Sequence, residues 1–466
     1  MMIQLFNTLG RELQEFKPLT DSAVSMYQCG PTVYWTQHIG NMRAFVLADL
    51  MRRSLTHCGY NVTFVRNYTD VGHLTSDGDE GEDKMEKAAK RDNDTPEAIA
   101  AKYIEQFETD IAHLNILPPT HAPKATEYIP QMIAFVEALL NSGHAYTTDT
   151  AIYFDTSTAN DYTKLSRQDL EKLKAHAGSG TVSDDAKKNP TDFALWFFKT
   201  GAHEHALQTW ESPFSSPRVA DGRGFPGWHL ECSTFIESLL GTTIDIHMGG
   251  IEHIPIHHTN EIAQSEAAHN APLATYWLHN GHLTFDGEKM SKSAGTSVVL
   301  DDIIDRTIDP LALRYFFLGA HYRGGQNFTW DALQAAETAL NKLRRHAQVD
   351  GGTVNENYME KFNAALGDDF NFPAALALAW TLTKDSTVTD HDRSATLRAF
   401  DDVFALDLAR QEAAIEIPSA VATLIEEREI ARNTKDWERA DQLRDEILEA
   451  GFVVSDGPDG QTIIPA

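Results

Sequence analysis

The sequence predicts an α/β protein built on parallel strands, and two observations carry that prediction. The first is a strand, loop, helix, strand unit near the start of the chain. Residues 24–29 (VSMYQC) read as a short buried strand, Met42 to Cys58 places Met42, Phe45, Val46 and Leu50 at helical spacing, and Asn61 to Tyr68 (NVTFVRNY) is β-rich again. A helix between two strands predicts parallel pairing, with a ligand outside the strands' carboxyl ends. The second observation is a later unit of the same kind. Thr242 to Met248 (TTIDIHM) is β-like, Gly249-Gly250 predicts a turn, and a helical segment follows.

Composition bounds the rest. The 466 residues, 42% hydrophobic and 9% aromatic, suffice for several packed domains and exclude a disordered chain. Three cysteines give no disulfide framework, and no run of eighteen apolar residues occurs. The N-terminus (MMIQLFNTLGRELQEF) lacks the basic and apolar regions of a leader, so a cytosolic, soluble protein is expected, with no membrane partner. A net charge of −29 argues against non-specific nucleic-acid binding, and any polyanionic partner must meet local basic patches.

In chain order, Gly30-Pro31 breaks the first strand, and His38-Ile39-Gly40-Asn41 lies where its loop enters the helix that Gly59 ends. Glycine there admits a nucleotide to the backbone, while the helix N-terminus and His38 can face phosphate. Residues 75–90 read as an exposed charged loop leading into a helix, and helices follow at about 95–113 and 126–141 with a boundary at Pro118-Pro119. Residues 144–223 read as an insertion: a strand pair at Ala151 to Phe154, a charged helix ending near Ala177, a GSGTVSDD linker, DFALWFFK and an exposed-looking SPFSSP. Helix returns at Trp228 to Cys232. Residues 276–285 (YWLHNGHLTF) form one strand pattern, and Asp286-Gly287 is a hairpin turn that delivers Lys289-Met290-Ser291-Lys292-Ser293. Helical patterns occupy Leu311–Leu318, Asp331–His346 and 357–405, as in a bundle.

Three features point to chemistry. His257 and Glu261 sit four residues apart, on one helical face, and read either as half of a zinc site or as a solvated face. Two of the three cysteines, Cys29 after its strand and Cys232 in GWHLECS, are candidates for the other half, whereas Cys58 at a helix end needs no function. Lys289 and Lys292 suit a mobile clamp on a triphosphate, or plain surface solubility. The segment 426–450 puts Arg432, Lys435, Arg439 and Arg444 near Trp437, which fits a salt-bridged helix pair or an RNA face with a stacking platform.

With YQCGPTVY, HIGN, NYTDVGHL, DFALWF, GWHLECS, GG followed by HHTNEIAQSEA, and KMSKS in this order, the chain resembles the cysteinyl-tRNA synthetases of class I from Met26 to Ile463. The resemblance implies a Rossmann-type catalytic domain in two halves (1–113 and 224–282) split by a connective insertion (114–223). A linking domain with KMSKS (283–325), a helical bundle (326–405) and an anticodon-binding domain (406–466) follow. It implies that L-cysteine and ATP, the latter with Mg²⁺, give cysteinyl adenylate, and that the acyl group then passes to tRNA(Cys). It also implies one zinc ion on Cys29, Cys232, His257 and Glu261. Thr69 and Trp228, with Cys29, would face the amino acid; His38, Gly40 and Asn41 the nucleotide; Lys289 and Lys292 the phosphates. Two readings compete: a ligase joining activated cysteine to an amino sugar, which would not need the KDWERADQLRDEI tail, and a non-catalytic zinc protein, in which HIGN and KMSKS would be idle.

The chain departs from the family pattern at Thr259, where a carboxylate is usual, at Ala294 after KMSKS, and at Phe372 in DDFNFP. The last bears on tRNA contacts more than on activation. The oligomeric expectation is a monomer.

Overall fold

A computed structural model of the chain describes residues 2–72, 74, 82–169, 187–290, 297–411, 418–457 and 460–465. The chain divides into two units, Met1–Leu408 and Ala409–Ala466.

At the centre of the first unit is a four-stranded sheet in the order Ala274–Asn280, Ile244–Gly250, Ala23–Gln28, Asn61–Arg66, every neighbouring pair parallel. Such strands are covered on both faces and read as apolar runs; Ile244–Gly250 is buried at all seven positions. The helix Ile39–His57 crosses from Ala23–Gln28 to Asn61–Arg66. On the other side, His257–His269 crosses from Ile244–Gly250 to Ala274–Asn280. The strand order therefore reverses between Ala23–Gln28 and Ile244–Gly250. In open α/β sheets that is where a crevice opens past the carboxyl ends.

Two sequence expectations are corrected around this point. Gly249-Gly250 does not turn: both residues extend the strand, pairing with His279 and Asn280, and the chain bends only from Ile251. Gly249 is needed for space, because a Cβ there would lie 2.7 Å from ring atoms of both His253 and His258. The stretch 276–285 is two strands, Ala274–Asn280 and Leu283–Phe285, not one. It breaks at Gly281, whose amide donates to Tyr322 O (2.9 Å) and whose Cβ would strike the Gly324 backbone at 2.5 Å.

Three strands of the expected insertion, Ala145–Thr147, Ala151–Phe154 and Phe193–Phe198, form a four-stranded antiparallel sheet with Gly224–Pro226, which lies just past its expected end. The insertion's SPFSSP segment is not wholly exposed: Phe214 packs on Trp196 with ring centroids 5.8 Å apart. The charged helix expected before Ala177 lies outside the described residues. After Gly287, Phe285 and Glu288 close a two-residue hairpin in which Asp286 (φ 48°) and Gly287 (φ 86°) both take positive φ, the signature of a type I′ turn. Helices Pro310–Leu318, Trp330–His346, Glu356–Gly367, Phe372–Lys384 and Asp390–Phe404 follow. Phe372 is fully buried beside Phe370, so that departure fills core rather than facing a ligand. The second unit pairs helices Ser419–Asn433 and Trp437–Glu449 with a hairpin, Phe452–Gly457 and Gly460–Pro465.

Candidate active site

The crevice holds a cavity of about 610 Å³ lined by Cys29, His38, Gly40, Asn41, Thr69, Trp228, Cys232 and His257, among others. Each arrives from a different local device. Cys29 follows directly on the strand Ala23–Gln28, and Gly30 lets the chain pass over Asn67: a Cβ there would fall 1.7 Å from Asn67 O. Trp228 and Cys232 lie in the first turns of helix Trp228–Leu240, and His257 opens its own helix.

At the cavity floor, Cys232 Sγ lies 3.5 Å from His257 Nε2 and 3.9 Å from Cys29 Sγ. Glu261 Oε1 is 2.8 Å from His257 Nε2 and 3.7 Å from Cys29 Sγ. The four donor atoms all lie within 4.8 Å of one another, and Cys232, His257 and Glu261 are buried. An overlapping set replaces Cys232 and His257 by His247 and His258. His247 Nε2 is 2.6 Å from Glu261 Oε2, and His258 Nε2 is 3.4 Å from Cys29 Sγ while its Nδ1 meets His279 Nε2 at 2.8 Å. Trp228 stacks on His257 (4.2 Å, 18°), and His229 Nδ1 contacts His257 Nδ1 at 2.9 Å.

These groups bias one another's protons. Burial disfavours charge on His257, but Glu261 and Cys232 outweigh it and push the imidazole up to about 10. Burial likewise works to raise Cys232, yet hydrogen bonding from Cys29 and the charge of His257 bring it down to about 6. Burial lifts the Cys29 thiol well above its usual value, and Cys232 adds to the rise. Burial opposes ionisation of Glu261, but His247 and His257 hold it below the usual carboxylate range. Two thiols, an imidazole and a carboxylate, mutually in reach and all but Cys29 fully buried, are a donor set that fits zinc.

Above the floor, His38 caps helix Ile39–His57, its Nδ1 accepting from the Asn41 amide at 3.2 Å. Ile39 N donates to Val298 O (2.9 Å), and a Cβ on Gly40 would be 3.6 Å from Met290 Sδ, so the chain around KMSKS comes close to HIGN. Lys289 pairs with Thr284 in the hairpin; Lys292 and Ala294 lie outside the described residues. Thr259 is buried and its hydroxyl donates to Ile254 O (2.8 Å), which ties the helix to the preceding loop.

Sequence reasoning missed His229, His247, His258, His279 and Glu231. The signal for His247 was a histidine inside an apolar strand. Glu231 gave none: it lies beside Cys232, fully buried, and its Oε2 accepts from Thr69 Oγ1 at 2.7 Å across 162 positions. Burial pushes its carboxyl well above the ordinary range.

The architecture and this crevice define a class I aminoacyl-tRNA synthetase fold. Methionyl-tRNA synthetase of Mycobacterium tuberculosis with methionyl-adenylate superposes with a TM-score of 0.54 at 16% identity, over 82% of this chain and 90% of that one. The LeuRS–tRNA–LeuAMS ternary complex of Agrobacterium radiobacter gives 0.60 at 12%, over 84% of each chain. Residues 15–338 match the family model of the class I (C) catalytic domain, and residues 415–463 that of the cysteinyl-tRNA ligase anticodon binding domain. Cysteine–tRNA ligase 1 of Burkholderia lata is 45% identical over 99% of this chain and 97% of its own length, and the Treponema denticola cysteine–tRNA ligase 38% over 98% of both. The chain belongs to the cysteine–tRNA ligase family.

Proposed function

We propose that the chain activates L-cysteine with ATP to cysteinyl adenylate and pyrophosphate, then transfers cysteine to the 3′ end of tRNA(Cys). The observation that carries this reading is one cavity with soft donors at its floor and a capped helix N-terminus at its wall. Cys29, Cys232, His257 and Glu261 would hold a single zinc ion, which supplies a centre that accepts a thiolate and leaves a neutral hydroxyl unbound. The set with both thiols is favoured because His247 and His258 then act on the same ligands from outside, through Glu261 Oε2 and Cys29 Sγ.

The chain's own groups do the rest. Trp228 fixes the His257 ring by stacking, and with Thr69 and Cys29 it walls the space for the amino acid. The amides at the start of helix Ile39–His57, with His38 and Asn41, face the nucleotide, and Gly40 admits it closely. Lys289 and Lys292 stabilise charge on departing pyrophosphate; Mg²⁺ enters with ATP because it prefers phosphate oxygens and its own waters. In this arrangement the amino acid's carboxylate would be the group that attacks the α-phosphate, with pyrophosphate leaving. The C-terminal unit is assigned to anticodon recognition, a monomer suffices, and among the described residues no helix is long and apolar enough to cross a membrane.

ATP–pyrophosphate exchange tests the reading: cysteine should drive it and serine should not. A protein inert towards cysteine is neither synthetase nor cysteine ligase. Charging of tRNA, set against acylation of an amino sugar, then separates the two enzymes, and the tail favours tRNA.

A further inference from the structure

Glu231, the hydrogen-bond partner of Thr69, is a buried group that the assignments above leave unused. Thr69 lines the cavity, and its side chain is held from two sides. Its hydroxyl donates to Glu231 Oε2 (2.7 Å), and Asn67 Nδ2 donates to its oxygen (3.2 Å). Asn67 is itself fixed, its Oδ1 accepting from Tyr27 O–H (3.0 Å) and the Gly30 amide (2.8 Å). The network leaves little freedom: a hydroxyl has one proton and two lone pairs, and here the proton and one lone pair are taken. The second lone pair remains.

Glu231 stands behind Thr69, outside the cavity lining and wholly buried in the first turn of its helix, and its Oε2 can accept from Thr69 whether or not Oε1 carries a proton. Its Oε1 has no hydrogen-bond partner among the described residues. A carboxyl retained in such a place, costly to bury, needs a reason beyond packing.

We propose that Glu231 is a positioning residue for the amino-acid substrate. By taking the only proton of the Thr69 hydroxyl, it leaves that oxygen able to meet a ligand solely as an acceptor, matched to the α-ammonium of cysteine. An unoriented threonine could donate or accept, and would receive an ammonium no better than a carbonyl. The ammonium is the one cationic group of the substrate, and a buried cation needs acceptors already in place. This inference rests on the proposed activation of cysteine.

The test compares cysteine with 3-mercaptopropionate, which keeps the thiol and carboxylate and lacks the amine. In cysteine-dependent exchange, Glu231→Leu raises the KM for cysteine by roughly tenfold to a hundredfold, the scale of one hydrogen bond to a charged group. The KM for ATP, the zinc content and the inhibition constant of 3-mercaptopropionate stay at their wild-type values. Glu231→Gln restores most of the loss, because its carbonyl can accept the same proton. An equal rise for cysteine and 3-mercaptopropionate, no rise for either, or a Gln variant as impaired as Leu overturns the proposal. Should the Leu variant not fold, Thr69→Val reaches the same bond from its other end, and an unchanged cysteine to 3-mercaptopropionate ratio there overturns it as well. Wild-type protein without cysteine-dependent exchange would instead refute the functional reading, whereas intact exchange with an unmoved ratio refutes only the role of Glu231.

Discussion

The cavity floor and the helix pair of the C-terminal unit use overlapping residue types to opposite ends. At the floor, Glu261 is fully buried, His257 is 1% exposed, and both carboxylate oxygens are taken by histidines at 2.6 and 2.8 Å. In the helix pair, Arg439 meets Glu427 at 3.0 Å and Glu446 at 3.1 Å with all three side chains over 40% exposed. Water screens the second set, so each pair contributes little and can exchange partners at low cost. No water screens the first, and removing one member strands the others as uncompensated buried groups. The floor's ion pairs are therefore fixed in one geometry, while those of the helix pair can be exchanged for others at little cost.

The sharpest break of this comparison is to remove one side of it. Truncation after Leu408 should leave cysteine-dependent exchange nearly intact and cut tRNA charging roughly a thousandfold or more, the scale that separates specific from non-specific nucleic-acid binding. The cut belongs there because Leu406 and Leu408 are buried in the core of the first unit. Equal loss of both activities would make the two regions one functional body. Next in size is Cys232→Ser, which removes one donor from the floor. We expect activation of cysteine to fall by about 3–5 kcal/mol, as for breaking a buried charged cluster, together with zinc content and preference over serine. Metal analysis beside exchange kinetics checks it; a zinc-free variant that still prefers cysteine would refute the floor's assigned role. Lys292→Ala should cost about 2.7–4 kcal/mol in the activation barrier, as for one donor to a developing anion, with cysteine affinity unchanged. Lost cysteine affinity at an unchanged rate would move Lys292 into the amino-acid pocket.

The two regions also differ in how far they could be read from residues alone. A helix between β-like segments, as from VSMYQC to NVTFVRNY, forces a crossover and so parallel pairing, which made the sheet legible. The spacing of His257 and Glu261 left a zinc half-site and a solvated face both open, and the family resemblance completed the set with Cys29 and Cys232; the structure brings the four donor atoms together. Glu231 could not be named, since its meaning comes from Thr69, far away in the chain. Gly249-Gly250 was read as a turn because glycine pairs punctuate chains; both lie in the strand, and His253 and His258 crowd the space at Gly249. Phe372 was expected to bear on tRNA contacts and is core, a matter of tertiary packing that no local pattern carries. In the second unit the charge alternation was plain, but whether Trp437 was core or surface was not. It is 56% exposed.

That exposure yields the smallest and most local prediction. Trp437 sits at the first position of its helix, with the Arg432 guanidinium 5.8 Å from its ring. The core beneath is made by Ala431, Ala440 and Leu443, with Leu424 against them, and does not include the indole. A large aromatic left outside a small core contributes little to folding and offers a π-face on which an unpaired base can stack. Stacking of one base on an aromatic is worth about 1–3 kcal/mol by alanine substitution. Trp437→Ala should therefore lower kcat/KM for tRNA charging by roughly tenfold to a hundredfold, acting through KM, with unchanged exchange and an unshifted thermal transition. Trp437→Phe keeps a π-face and should recover part of the loss. A fall in the melting temperature that matches the loss in charging would show that the indole supports the helix pair itself, and the contrast between a rigid floor and an exposed reading surface would then narrow to the ion pairs alone.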